Sequence, residues 1–79
     1  MKLENIKDVN GFFEVIDSCT GRVELISPEG DRLNLKSKLC QFIAFTSLFK
    51  SQEIASLELV TENKEDATKI LEFMTDKNN

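Results

Sequence analysis

This sequence of 79 residues contains no histidine, and that absence removes several kinds of chemistry. A serine or cysteine nucleophile cannot be paired with a histidine base, and a zinc site would need unusual ligands. Glycine is also scarce, with three residues in the chain, and no glycine-rich phosphate-binding loop is present. Because no other constellation of catalytic side chains is found, we expect no enzymatic activity, no metal and no cofactor.

Cysteines and long hydrophobic segments are scarce as well. Cys19 and Cys40 are 21 positions apart and belong to no paired motif, which favours reduced, buried thiols over a disulfide. The longest apolar-rich segment, "LCQFIAFTSLF", is about half of the roughly 20 residues needed to span a bilayer. Residues 1–9 contain no hydrophobic signal core. The sequence therefore predicts a cytoplasmic protein that does not enter a membrane.

Charge and length limit the partners and the architecture. The 14 acidic and 10 basic residues are scattered, and the net charge of −4 opposes a phosphate backbone, so we expect no nucleic-acid partner. With 41% hydrophobic residues, the chain can close one core, although so short a chain buries only about 60% of its unfolded surface. We expect a single domain over residues 1–79, as a monomer or a weak homodimer.

A short strand and a helix are predicted at the start of the chain. Residues 1–4 leave room for a short strand with Leu3 pointing inward. Asn5, followed three positions later by Asp8, resembles a capping box at a helix N-terminus.

The first predicted helix runs from about Ile6 to Cys19. Its apolar residues repeat at helical spacing: Ile6, Val9, Phe13 and Ile16, with Phe12 beside them. Gly21 can supply the left-handed residue that ends such a helix.

Two segments of alternating apolar and polar residues predict a β-hairpin. These segments, "RVELI" and "RLNLK", are separated by the turn-forming residues "SPEGD". Side chains alternate between the two faces of a strand, so Leu25 can pair with Leu33 or Leu35 but not with Asn34. Val23 shares the buried face. The other face carries polar side chains and is expected to meet water: Glu24, Arg32, Asn34 and Lys36.

The segment from Lys38 to Phe49 is apolar on too many sides for a simple amphipathic helix. At about 100° per residue, one apolar sector holds Leu39, Cys40 and Ile43, and another holds Phe42, Phe45 and Phe49. A two-layer domain of this size cannot easily bury both sectors. The candidate residues for binding a partner are therefore Leu39, Phe42, Phe45 and Phe49, with a purely structural role for the phenylalanines in the core as the alternative.

The end of the chain predicts a strand followed by a helix. "IASLELV" is expected as a strand with Leu57 and Leu59 inward. Asn63 can cap the next helix, and acidic residues in its first turn favour its N-terminus. Its core-facing residues are predicted to be Ala67, Ile70, Leu71 and Met74. The carboxylates of this helix are expected to face solvent.

The resulting order, β-α-β-β-α-β-α, predicts an open-faced α+β sandwich; a ferredoxin-like fold shares its first six elements. Four features together resemble HPr, the histidine-containing phosphocarrier protein of the bacterial sugar phosphotransferase system. They are the stretch "LNLKS" closing the hairpin, an apolar helix directly after it, a short hydrophobic strand and a terminal helix with an acidic cap. The resemblance extends over nearly the whole chain, although only "LNLKS" is close in letters. It implies a four-stranded antiparallel sheet with three helices on one face.

In that family the phosphorylated histidine is the N-cap of the first helix, within a Gly-x-His-x-Arg-Pro pattern. The matching residues here are 3–8, with Asn5 in the place of the histidine and the basic Lys7 in that of the arginine. An amide cannot accept and pass on a phosphoryl group as an imidazole does, and Glu4 and Asp8 would repel a phosphate. The carrier reaction is therefore expected to be absent.

The family also has a regulatory serine at the N-terminus of the second helix, within a Lys-Ser pair, and Ser37 matches it. Helix N–H groups and the ammonium groups of Lys36 and Lys38 would stabilise a phosphate there. Lys38 and Cys40 depart from the family, which has an apolar residue and commonly a glycine at these positions. The alternative is that Ser37 is only a helix cap, worth about 1 kcal/mol.

These observations leave open more than one function. The main expectation is a non-catalytic HPr-like module that binds another protein, since the family docks partners on its second helix. One alternative is a regulator of sugar or carbon metabolism that is phosphorylated on Ser37. Another is a ferredoxin-like subunit that binds a small effector, for which the expected glycine-rich loop after the first strand is missing.

Overall fold

In the part of the chain that the structure describes, three α-helices cover one face of a three-stranded antiparallel sheet. The computed structural model describes residues 1–3, 6–49 and 57–76, with the backbone alone for residues 47–49. The elements are α1 (Val9–Ser18), β1 (Val23–Ile26), β2 (Arg32–Asn34), α2 (Lys38–Ile43), a π-helical turn (Ala44–Phe49), β3 (Glu58–Thr61) and α3 (Lys64–Thr75). Among these helices, none is both long and apolar enough to cross a membrane.

The sheet has the strand order β2-β1-β3, with β1 in the centre. Leu25 pairs with Leu33 on one side, which is one of the two registers that the sequence predicted, and with Leu59 on the other. The hairpin turn contains Gly30, whose φ of 91° lies in the left-handed region that favours glycine. Side-chain parity and turn chemistry therefore predicted this hairpin correctly.

Residues 1–3 lie along the free edge of β3. Lys2 and Glu58 form an isolated β-bridge, and the backbone N–H of Leu3 donates to the carbonyl oxygen of Leu57 at 3.2 Å. Leu3 is fully buried, as its sequence position predicted. One bridge is not a strand, so the described sheet has three strands and a fourth stays a prediction.

A single apolar core joins the sheet to the helices. The core residues are Leu3, Ile6, Phe12, Ile16, Cys19, Val23, Leu25, Leu35, Ala44, Leu57, Leu59 and Ile70. The ring of Phe12 lies 6.2 Å from that of Phe73, between centroids, and so connects α1 to α3. On the opposite face of the sheet, Arg32 and Glu24 form an ion pair of 3.2 Å in contact with solvent.

Helix α1 begins three residues later than the sequence predicted. Its N-cap is Asp8, whose carboxylate accepts a hydrogen bond of 2.9 Å from the backbone N–H of Gly11, because aspartate is itself a strong N-cap. Ile6 is buried ahead of the helix, and Asn5 lies outside the described residues. The fully buried residues of α1 are Phe12 and Ile16, with Val9, Phe13 and Val15 partly buried.

The end of α1 also differs from the prediction. Its C-cap, Cys19, is extended, with φ −69° and ψ 143°, and Gly21 does not have the positive φ that the predicted left-handed cap requires. The terminal carbonyl groups of α1 are instead bound by lysine side chains from other elements.

Helix α3 is capped by Asn63 as predicted, since its side chain accepts a hydrogen bond of 2.9 Å from the N–H of Asp66. The buried face differs: Asp66 and Ile70 are fully buried, whereas Leu71 is 47% exposed. The side of α3 that carries Asp66 faces the core, because its carboxylate accepts hydrogen bonds from the backbone N–H groups of Thr20 and Gly21, just after α1. The expectation that the carboxylates of this helix face solvent is therefore wrong for Asp66.

Candidate functional site

Ser37 is the N-cap of α2. Its hydroxyl oxygen accepts a hydrogen bond from the backbone N–H of Cys40 at a donor–acceptor distance of 3.4 Å, and the residue is partly buried. The capping role that the sequence predicted is thus formed, and phosphorylation of this serine stays a prediction.

Lys36 points away from this cap, toward the C-terminus of α1. Its ammonium group donates hydrogen bonds to the backbone carbonyl oxygens of Ile16 at 3.3 Å, Asp17 at 3.0 Å and Cys19 at 2.6 Å. An ammonium group has three donors, so all of them are used here. The partial negative charge at a helix C-terminus favours this arrangement. Lys36 therefore caps α1 instead of lying on the outer face of the hairpin.

Asp17 connects the end of α1 to the beginning of α2. Its carboxylate forms an ion pair with Lys38 and accepts a hydrogen bond of 2.8 Å from the side-chain amide of Gln41. The hydrogen bond from Lys38, followed by that from Gln41, lowers the pKa of Asp17. Gln41 also donates to the carbonyl oxygen of Leu35 at 2.8 Å. Neither Asp17 nor Gln41 was singled out from the sequence, since no local pattern marks a contact 24 positions apart.

Neither of the two apolar sectors predicted for the second helix is its buried side. Gln41 and Ala44 face the core, because the small alanine lets the helix approach closely and the buried amide of Gln41 is hydrogen-bonded. The large apolar side chains are exposed: Leu39 by 69%, Phe42 by 65%, Ile43 by 39% and Phe45 by 39%. Phe49 ends the π-helical turn, and its side chain lies outside the described part.

A shallow groove of about 230 Å³ lies between α1 and α2, and we call it the α1–α2 groove. Its lining residues are Asn10, Phe13, Lys38, Gln41, Phe42 and Phe45. Two of the predicted partner-binding residues, Phe42 and Phe45, are thus brought together with an aromatic residue of α1, while Leu39 extends the apolar surface on the exposed side of α2. The groove is thus lined by three aromatic rings, two side-chain amides and one ammonium-bearing side chain.

The connection between α1 and β1 is secured by a buried carboxylate. Asp66 accepts hydrogen bonds from the backbone N–H groups of Thr20 at 3.1 Å and Gly21 at 2.8 Å. Burial by itself would raise the pKa of Asp66, but the hydrogen bonds from Gly21 and Thr20 outweigh it and lower the pKa. A Cβ atom at position 21 would lie 2.8 Å from the side-chain nitrogen of Asn63. These hydrogen bonds hold α3 against the segment that connects α1 to β1.

Cys19 and Cys40 are free thiols; burial, followed by the nearby charge of Asp66, raises the pKa of Cys19. Across the described residues, no cluster of three or more cysteine or acidic side chains could hold a metal ion.

No protein-family model, curated protein or solved structure is significantly similar to this chain. The likeness to phosphocarrier proteins therefore rests on the sequence features described above.

Proposed function

We propose that this chain is a non-catalytic, cytoplasmic module that binds another protein through the α1–α2 groove and the exposed side of α2. The observation that carries the proposal is the exposure of Leu39, by 69%, and Phe42, by 65%, beside a groove lined by further aromatic rings. Contiguous exposed apolar surface is a usual mark of a protein contact site. Nucleic acid and membranes are not proposed as partners.

The groove is held in one shape by contacts on its polar side. Asp17 binds both Lys38 and Gln41 across the two helices, and Gln41 is tied to the backbone at Leu35. Aromatic side chains add large apolar area at low cost in conformational freedom. A surface that is already ordered loses less entropy on binding, which favours a specific contact.

The relation to HPr is part of the proposal. It is supported by the element order and by Ser37, which caps α2 where the family has its regulatory serine. The pairing of residues 1–3 with β3 is compatible with a fourth strand at that edge. Asn5 in the place of the histidine supports the absence of phosphoryl transfer. We therefore propose a relative of the phosphocarriers that keeps the scaffold and binds partners without carrying phosphate.

The test compares two exposed apolar residues of similar size. A partner is captured from the native host, and its affinity is measured for wild type, Phe42→Ala and the control Leu71→Ala, in which the exposed leucine lies on α3. Phe42→Ala should weaken binding at least about tenfold, equivalent to about 1.4 kcal/mol, with Leu71→Ala unchanged. Equal affinity for all three proteins would contradict the proposal.

A second candidate function is regulation by phosphorylation of Ser37 in sugar or carbon metabolism. The observation that favours it is the position of Ser37 directly before Lys38, whose side chain is 76% exposed and forms an ion pair with Asp17. A phosphate would add about two negative charges there and compete with Asp17 for Lys38. The change would alter the edge of the α1–α2 groove. Ser37→Asp should then weaken partner binding without lowering stability, whereas Ser37→Ala should leave partner binding unchanged.

A further inference from the structure

We infer that the partner segment for the α1–α2 groove is a basic amphipathic helix. Its apolar residues would lie against Phe13, Phe42 and Phe45, and its lysine or arginine side chains would face Glu14, since Asp17 is already bound by Lys38 and Gln41. This inference rests on the proposed function and names the chemistry of the partner.

The size and shape of the groove favour an anchor side chain over a whole small molecule. Its volume of about 230 Å³ is below the range of about 300–1,000 Å³ that is usual for small-molecule sites. It is open and lies between two helices, as do grooves that bind one apolar face of a third helix. Leu39, on the exposed side of α2, extends the apolar surface beyond the groove itself.

Carboxylates of α1 flank the groove, whereas the one charged residue that lines it, among those the structure describes, is Lys38. Asn10, Glu14 and Asp17 are separated by four and three positions and therefore lie along one side of α1. Asn10 lines the groove, and Asp17 binds two of its lining residues, which places this stripe along the groove edge.

The acidic stripe is only partly neutralised. Lys38 is paired with Asp17, whereas Glu14 is exposed and has no ion pair within the described ranges. The chain as a whole carries a net charge of −4. Negative potential of this kind attracts cationic partners and sets the orientation in which they dock. A partner with basic residues flanking its apolar face is complementary to both parts of the site.

The experiment uses two synthetic helical peptides with identical leucine spacing, one with lysine and one with glutamate at every polar position. Each is titrated into isotopically labelled protein while backbone amide resonances are followed by NMR. The lysine peptide should shift the resonances of Asn10, Phe13, Phe42 and Phe45 and bind at least about tenfold more tightly than the glutamate peptide.

Two variants with the same change in net charge separate a local effect from a general one. Glu14→Lys should weaken the lysine peptide about fivefold, since it removes one attraction and adds a repulsion at the contact. Glu29→Lys changes an exposed carboxylate in the hairpin turn. It should change the binding free energy of the lysine peptide by less than about half as much as Glu14→Lys does, because distant exposed charges are screened. Equal effects of the two variants would overturn the inference.

The remaining outcomes distinguish this inference from the proposed function. If both peptides bind equally and Phe42→Ala abolishes both, the groove is a contact site without preference for basic partners, so the inference fails and the proposed function stands. If neither peptide shifts the groove resonances, the inference fails, and the proposed function is tested by the affinity of the native partner for wild type and Phe42→Ala. A concentration-dependent dimer in sedimentation that is lost in Phe42→Ala would assign the groove to a second copy of this chain and overturn the inference.

Discussion

The ammonium nitrogen of Lys36 lies 2.6 Å from the backbone carbonyl oxygen of Cys19, 17 positions earlier in the chain. This contact ties the end of the β-hairpin to the end of α1, where helix carbonyl groups lack partners within the helix. In the proposed resemblance to phosphocarriers, the lysine before Ser37 belongs to the Lys-Ser pair of that family. Here its side chain is hydrogen-bonded to the C-terminus of α1. Of the two lysines beside Ser37, Lys38 is therefore the one directed toward the α1–α2 groove.

Lys36→Met should destabilise the protein by about 2 kcal/mol, because it keeps most of the aliphatic chain but removes the cation from a partly buried helix C-terminus. Lys2→Met, at an exposed position, is the control and should change stability by less than about 0.5 kcal/mol. Urea unfolding gives both values, and hydrogen exchange of the amides should increase most around residues 19–21. A loss no larger than that of the control would contradict the capping role of Lys36.

Asp66→Asn should destabilise the fold at neutral pH, because an amide can accept from one of the two N–H groups of Thr20 and Gly21 but presents its own donor to the other. The folded pKa of Asp66 is lowered from 3.8, so its contribution is complete well above pH 3.8 and is lost as the pH falls through the folded pKa. The stability difference between wild type and Asp66→Asn should therefore shrink as urea unfolding is repeated from pH 7 down to pH 3.

The control for this experiment is Asp8→Asn. Asparagine and aspartate are about equally good N-caps, so this substitution should be nearly neutral at pH 7 although it also removes one carboxylate. A difference between wild type and Asp66→Asn that stays constant with pH would show that the ionised carboxylate is not what holds the two amides.

Ser37→Ala should cost about 1 kcal/mol through loss of the cap of α2. Ser37→Asp should be nearly neutral in stability, since aspartate also caps and its negative charge is favourable at a helix N-terminus. Thermal or urea unfolding of the two variants checks this directly. Equal losses for both would mean that the hydroxyl of Ser37 acts in some way other than accepting the hydrogen bond from Cys40.

The protein should acquire no acid-labile phosphate when it is incubated with phosphoenolpyruvate and the first enzyme of the phosphotransferase system. Asn5 has no imidazole to accept the phosphoryl group, and Asn5→His should not restore transfer because Glu4 and Asp8 would still repel a phosphate. Labelling with radioactive phosphoenolpyruvate measures both. Stoichiometric labelling of the wild-type chain would contradict the expected absence of carrier activity.

The sequence predicted the local features that depend on short-range rules. Side-chain alternation allowed Leu25 to pair with Leu33 or with Leu35, and the structure has the first of these two registers. The caps Ser37 and Asn63 follow from their side-chain acceptors. The α1–α2 groove itself was not predicted: Phe42 and Phe45 were identified as candidates for binding a partner, without the α1 residue, Phe13, that lines the same groove.

Several of the features that sequence reasoning missed depend on contacts between distant segments. Asp66 was expected in solvent because carboxylates on helices usually are, and nothing near it in the sequence shows that two amides 45 and 46 positions away would bind it. Lys36 was placed on a strand face because the turn after Asn34 is not visible in the alternation pattern. Gln41 faces the core because its amide meets Asp17 and Leu35, which neither apolar sector of that helix predicts.

The hydrogen bonds from Thr20 and Gly21 to Asp66 also set a condition on how the chain folds as it is made. Until α3 has been synthesised, the two amides lack this acceptor, and the carbonyl of Ser18 lacks Lys69, its donor at 3.1 Å. The second edge of the central strand β1 likewise stays unpaired until β3 has been synthesised. Contacts that close such long loops form late, so a nascent chain ending before residue 64 should stay sensitive to protease, and protection should arise only when the last helix has left the ribosome.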